Sequence, residues 1–130
     1  MKKIVLLLTY LFFTGCSADN FSSRIIDVDA KEAFDLINTY DGKLTILDIR
    51  TASEYSAGHI KDAINIDFYS KAFKYKLSLL DKDKTYPLYC RTGNRTSKAL
   101  AYFKELGFKK VYHLYGGISD WQNSGLPVYK

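Results

Sequence analysis

The sequence predicts an α/β domain, a central parallel sheet with helices on both faces, preceded by a cleavable export signal. Three observations carry this reading. Short apolar runs alternate along the body with stretches whose apolar residues recur at helical spacing. Strands separated by helices pair in parallel, with the crossovers packed on the faces of the sheet. The chain also opens with a basic start, a short apolar core and small residues, which is the composition of an export leader.

In chain order the leader comes first. Met1-Lys2-Lys3 precedes an apolar run over residues 4–13 and then Thr14-Gly15-Cys16. That run is too short for a comfortable membrane span. Residues 1–15 are read as the signal peptide, 16–23 as a tether and 24–130 as one folded domain; ordinary cleavage after Ala18 is the rival boundary. Residues 25–28 form the first strand. Asp29 with Glu32 then writes a capping box before a helix over 33–37. Residues 44–49 make a buried strand between Gly42 and the polar Arg50-Thr51, and a further strand near 63–66 precedes a helix around 69–80. Tyr86-Pro87-Leu88-Tyr89 reads as a short buried strand, followed by a helix over 96–106 with Thr96 or Ser97 as its cap. Gly107 stops that helix, and residues 111–114 form the last strand.

Cys90 stands where the buried strand ends and opens the loop Cys90-Arg91-Thr92-Gly93-Asn94-Arg95. Active residues of parallel sheets gather at the carboxyl ends of strands. A cysteine on a strand-to-helix turn faces unpaired backbone N–H groups and the positive end of the helix dipole, which favour the thiolate. Cys90 is thereby primed as a nucleophile. A core cysteine filling a strand end is the plain alternative. The flanking glycine and two arginines favour chemistry. Gly93 admits a backbone angle that a tight cradle needs. Arg91 and Arg95 bring positive charge to an anionic donor, or else form a solvated rim. The candidate site is Cys90 as nucleophile, with Arg91, Thr92, Gly93, Asn94, Arg95 and Thr96 around the substrate. Four residues separate Cys90 from Arg95, whereas cysteine phosphatases place five there. The shorter loop makes a smaller ring of amides, suited to one sulfur atom more than to a tetrahedral phosphate.

The loop, together with its surroundings, resembles the single-domain rhodaneses, sulfurtransferases with a Cys-Arg-x-Gly-x-x loop. Before the loop, Leu47-Asp48-Ile49-Arg50, Glu54-Tyr55, Gly58-His59-Ile60 and Ala63-Ile64-Asn65-Ile66 carry the likeness. After it come Leu106-Gly107-Phe108, Val111-Tyr112, Gly116-Gly117-Ile118 with Trp121, and Gly125-Leu126-Pro127-Val128. The resemblance spans about residues 25–128. It implies a rhodanese-like fold and a reaction in which Cys90 takes the outer sulfur of a donor such as thiosulfate or polysulfide. The resulting persulfide passes that sulfur to a thiol or to cyanide. A persulfide is anionic at its outer sulfur, so a cup of N–H groups at a helix N-terminus suits it. No cofactor is implied. The alternative is a non-catalytic docking or sulfur-carrier module for an exported partner, since fold does not fix function.

The amino end resembles a bacterial lipoprotein leader, with Gly15-Cys16 as the cleavage and lipidation junction and Phe13 departing from that family's usual Leu. This places the domain outside the cytoplasm, lipid-anchored through Cys16 to a bacterial membrane on its periplasmic or cell-surface side. The alternative is a soluble periplasmic or secreted product. If Cys16 is lipidated or removed, Cys90 has no resolving thiol, and an external acceptor must discharge the persulfide.

The remaining candidates read as structural. His59 falls in a structural motif, and His113 lies in a strand with no partner cluster, so no metal site is assigned. Asp48 and Arg50 could orient the active loop from a strand end or simply pair with Glu54 or Asp62. Trp121 and the tyrosines and phenylalanines read as packing. The net charge of +5 includes Lys2 and Lys3, and the other basic residues are scattered among acids and aromatics. A solvated surface follows, and no nucleic-acid partner.

Overall fold

Five parallel strands, residues 24–28, 110–114, 85–89, 47–48 and 64–65 in spatial order, make one sheet. The computed structural model describes Gly15 and residues 22–130. The signal peptide boundary, Cys16 and the tether up to residue 21 lie outside the described residues. The elements run β1 (Arg24–Val28), α1 (Ala30–Tyr40), β2 (Leu47–Asp48), α2 (Ala52–Ala57) and β3 (Ile64–Asn65) in the first half. The second half holds α3 (Phe73–Ser78), β4 (Thr85–Tyr89), α4 (Asn94–Leu106), β5 (Lys110–Leu114) and α5 (Gly117–Asn123).

The two-residue period of the strands divides their side chains between two apolar layers. Leu47, Leu88, Cys90 and Val111 point to one face, where Phe73, Leu77, Ala99 and Phe103 of α3 and α4 cover them. Val28, Ile46, Tyr89, Tyr112 and Leu114 point to the other, against Ala33 of α1 and Ile118 and Trp121 of α5. The near-continuous apolar runs of β4 and β5 follow from burial on both faces. Pro87, which has no N–H to give, is tolerated in β4 because β2 pairs only with Leu88 and Tyr89, beyond it.

The Asp29 capping box forms as the sequence predicts, with Glu32 N–H donating to Asp29 Oδ1 at 2.9 Å, but its helix starts earlier and runs longer than residues 33–37. The strands expected over 44–49 and 63–66 are two residues long as ladders, although Ile64 N–H still donates to Ile46 O and Ile66 N–H to Asp48 O. The helix expected around 69–80 is confined to α3. Two short helices were not expected. α2 opens on a second capping box, Thr51 with Glu54, and α5 starts behind Gly116 without any side-chain cap.

Asp48 and Arg50 pair with neither Glu54 nor Asp62, contrary to one sequence expectation. They pair with each other. Arg50 Nη2 lies 2.7 Å from Asp48 Oδ2 and Arg50 Nε 3.0 Å from Oδ1, while Nη2 also donates to Gly58 O at 2.6 Å. Both side chains are buried, Asp48 fully. Side chains alternate along a strand, so Asp48 lies on the sheet face opposite Cys90, with the ring of Tyr89 beneath the guanidinium at 5.7 Å. Asn65 Nδ2 donates to the carbonyls of both Asp48 and Arg50, tying β3 to the strand end. This network locks the turn into α2, the helix that carries Glu54.

Removing one member of a buried pair strands the other's charge. Asp48→Ala should therefore cost about 3–5 kcal/mol of unfolding free energy. Chemical denaturation followed by circular dichroism reads this out, and a loss below about 1 kcal/mol would contradict the role given to the pair.

Candidate active site

Cys90 follows the last residue of β4, at the carboxyl edge of a strand that has neighbours on both sides. The side chain is 1% exposed and forms the floor of a cleft of about 290 Å³ lined by Glu54, Tyr69, Arg91, Thr92, Asn94 and Arg95. Gly93 N–H donates to Cys90 Sγ at 3.2 Å, and the Thr96 hydroxyl lies 3.7 Å from the same sulfur. Burial pushes the thiol up. The N–H groups of Thr96, Gly93 and Thr92 and the Thr96 hydroxyl together outweigh it, and the Cys90 pKa falls below that of an ordinary thiol.

Backbone geometry makes the cup. Gly93 has φ +92°, and a methyl group there would sit 2.0 Å from Tyr115 O. Gly117, φ +62°, leaves the same lack of room against Arg91 O at 2.3 Å. The active loop and the turn before α5 are thus interlocked, backbone against backbone. Ile118 N–H donates to Cys90 O at 2.9 Å and Ser119 N–H to Arg91 O at 3.0 Å. With those carbonyls held by the first turn of α5, the loop's N–H side is left to face the sulfur.

α4 begins at Asn94, two residues earlier than expected, and neither Thr96 nor Ser97 caps it. Gly93 occupies the cap position. Both hydroxyls reach back instead to Gly93 O, at 3.0 Å from Thr96 Oγ1 and 2.7 Å from Ser97 Oγ. This is the local side-chain bond that serine and threonine make one turn into a helix.

The two arginines differ. Arg95 makes a two-pronged ion pair with Glu54, Nη1 to Oε1 at 2.8 Å and Nη2 to Oε2 at 2.9 Å, and its guanidinium lies 5.6 Å from the centre of the Tyr69 ring. The Arg95 hydrogen bonds hold the Glu54 carboxyl well down, at about 2. Arg95 is a tethered wall of the cleft whose charge Glu54 offsets. Arg91 is exposed at the rim with Thr92 and Asn94, and among the described residues no carboxylate forms an ion pair with it. Glu54 was read from sequence only as part of a motif and as a partner for Asp48 or Arg50. The Thr51-x-x-Glu54 capping box was the signal that a helix would carry it to the cleft.

His59 is stacked on Tyr55 with ring centres 3.8 Å apart, and its Nδ1 lies 2.9 Å from Tyr55 O. His113 has partners that the sequence reading missed. Its Nε2 is 2.7 Å from Thr96 Oγ1, and its Nδ1 is 2.9 Å from Asp27 Oδ1. No signal in the sequence joins these residues, because Asp27 and His113 meet only through the pairing of β1 with β5. Among the described residues no cluster of His, Cys, Asp or Glu has the arrangement of a metal site.

The interlock gives a direct test. Gly117→Ala should slow alkylation of Cys90 about tenfold at neutral pH by displacing the loop amides, a change equal to about one unit in thiol pKa. Alkylation followed by mass spectrometry measures it, and a native rate would mean that the α5 contact does not shape the cup.

The rhodanese-like domain family matches residues 29–124 of the chain. A sulfurtransferase from Allochromatium vinosum is 36% identical over 83 residues, covering 64% of this chain and 76% of that protein. A tRNA uridine(34) hydroxylase from Sodalis glossinidius is 37% identical over 98 residues, but the match covers 68% of this chain and only 27% of that protein. Among solved structures, a rhodanese-related protein from Thermoplasma volcanium superposes with a TM-score of 0.69 at 31% identity, covering 80% of this chain and 97% of the other. The five-stranded parallel sheet, the Cys90 loop at the end of β4 and these matches lead to one assignment: the chain belongs to the rhodanese-like domain family.

Proposed function

We propose that the protein is a sulfurtransferase that carries a sulfane sulfur on Cys90. The observation that bears most weight is the amide cup around a buried thiol of lowered pKa. With thiosulfate, the Cys90 thiolate attacks the outer sulfur and the S–S bond to the sulfonate breaks: Cys–S⁻ + S–SO₃²⁻ → Cys–S–S⁻ + SO₃²⁻. A thiol acceptor then attacks the outer sulfur of the persulfide, and Cys90 leaves as thiolate: Cys–S–S⁻ + RSH → Cys–S⁻ + RS–SH. Cyanide takes the same sulfur as thiocyanate. Electrons and charge balance in each step without a cofactor.

The residues divide these tasks. Gly93 N–H and its neighbours stabilise anionic sulfur before and after transfer. Arg91, exposed at the rim, draws in the anionic donor and releases the sulfite. Arg95, tied to Glu54 and laid against Tyr69, forms a fixed wall of the cleft. Tyr69 and the exposed loop side chains meet the acceptor. The sulfurtransferase relative supports this reading. The hydroxylase relatives share only about a quarter of their length with the chain, so their substrate carries less weight.

Exposure of the native protein to thiosulfate or polysulfide should add one sulfur to the intact mass, and cyanide should remove it. Cys90→Ser should retain the fold and lose both changes, because a hydroxyl forms no stable persulfide. An inert native thiol would favour a docking module, and cyanide-dependent turnover in the serine variant would refute Cys90 as carrier.

We further propose that Cys16 carries lipid and tethers the domain outside the cytoplasm. The support is the order of Lys2-Lys3, the short apolar run and Gly15-Cys16. One acyl chain binds membranes only marginally, and several hold firmly. Native protein should take up a fatty-acid analogue and enter the detergent phase, while Cys16→Ala should take up none. A soluble native product beginning at Asp19 would instead establish cleavage after Ala18.

A further inference from the structure

His113 is almost wholly buried, at 4% exposed, on the face of β5 that looks toward the nucleophile. From β1 comes the Asp27 carboxylate; from α4, the Thr96 hydroxyl; beyond that hydroxyl, the Cys90 sulfur at the end of β4. Asp27 and Cys90 are the titratable groups that face His113 across this line, the second of them through Thr96. The chain is continuous: Oδ1 to Nδ1 at 2.9 Å, Nε2 to Oγ1 at 2.7 Å, Oγ1 to Sγ at 3.7 Å.

Proton bookkeeping decides what such a line does. Nδ1 faces a carboxylate, which only accepts, so Nδ1 carries a hydrogen. Nε2 then has two states. As a bare nitrogen it accepts the Thr96 hydroxyl proton, which leaves oxygen lone pairs toward Cys90. That arrangement suits a thiol that donates S–H. As N–H it donates to Thr96 Oγ1, and the one hydroxyl proton can turn from Gly93 O toward the sulfur. That arrangement suits a thiolate. Gly93 O, 3.0 Å from Thr96 Oγ1, competes for the same hydroxyl proton in both states.

We propose that the buried His113 and Thr96, with the exposed carboxylate of Asp27 behind them, form a proton relay that positions and charges Cys90 as a thiolate. In the relay, Sγ–H passes its proton to Thr96 Oγ1 as the Thr96 hydroxyl passes its own to His113 Nε2. One S–H bond and one O–H bond break, one O–H bond and one N–H bond form, and no electron is gained or lost. Both products meet stabilising partners, the imidazolium beside Asp27 and the thiolate beneath the loop amides. When a persulfide is discharged, the same line supports the departing Cys90 thiolate. Thr96 touches the sulfur and exchanges a proton with it, whereas His113 acts through Thr96 and is a positioning residue. The catalytic benefit of the relay rests on the sulfur-transfer reading, but its effect on the thiol does not.

The test reads the thiol itself. The pH profile of Cys90 alkylation is measured for the native protein and for His113→Gln, Thr96→Val, Thr96→Ser and the double variant Thr96→Val with His113→Gln. His113→Gln and Thr96→Val should each move the midpoint upward, slowing alkylation about tenfold at neutral pH. Thr96→Ser, which keeps the hydroxyl, should retain the native midpoint. The double variant should match Thr96→Val alone, because residues on one line are not additive. A native midpoint in His113→Gln, or additive shifts in the double variant, would overturn the relay. Should a buried substitution fail to fold, the His113 ring is titrated by NMR in the native protein and in Cys90→Ser. Loss of the thiolate should lower the His113 midpoint, and an unchanged midpoint would overturn the relay by itself. Because alkylation and ring titration need no sulfur donor, a protein that fails to accept thiosulfate yet gives these shifts would sink the transfer reading and keep the relay.

Discussion

The site depends on a crowded backbone contact more than on any side chain. Where the active loop meets the turn before α5, Gly93 faces Tyr115 O and Gly117 faces Arg91 O at separations that exclude even a methyl group. That closeness lets the amides of Ile118 and Ser119 hold the carbonyls of Cys90 and Arg91. A peptide unit whose carbonyl is held in one direction presents its neighbouring N–H in another, and here the other direction is the sulfur. The parallel sheet supplies the frame, since β4 and β5 lie side by side and deliver the two loops to the same edge.

Charge is handled differently on the two faces of the sheet. Behind it, Asp48 and Arg50 neutralise one another in the dry layer and fasten the turn that leads into α2. At its edge, α2 presents Glu54 to Arg95, so one cation of the loop is already engaged by the protein itself. The cleft is therefore less positive than its two arginines imply. On the proposed sulfur-transfer function, a weakly basic mouth would admit an anionic donor without binding its product so firmly that release limits the rate. Folding and function are joined at this point, because the buried pair fixes the helix that sets the charge of the mouth.

Much of the architecture was written locally, in period and punctuation. The alternation of strand and helix, the Asp29 capping box and the stop at Gly107 depend on residues a few positions apart, and they can be read from order alone. The loop around Cys90 was legible for the same reason. α5 was missed because it opens without a side-chain cap, its first turn being organised by contact with a distant loop. The start of α4 was displaced because Gly93 takes the cap position that threonine or serine fills elsewhere. The partnership of Asp27, Thr96 and His113 was out of reach, since its members meet through strand order and lie 86 and 17 positions apart.

The division of labour within the loop has a consequence for redesign. The atoms that hold the sulfur belong to the main chain, and the glycines behind them cannot change without loss. The side chains of Arg91, Thr92 and Asn94 are exposed at the rim. They are free to be exchanged without disturbing the nucleophile. On the proposed sulfur-transfer function, exchanging these rim side chains should change donor and acceptor preference and leave the backbone cradle of Cys90 as it is.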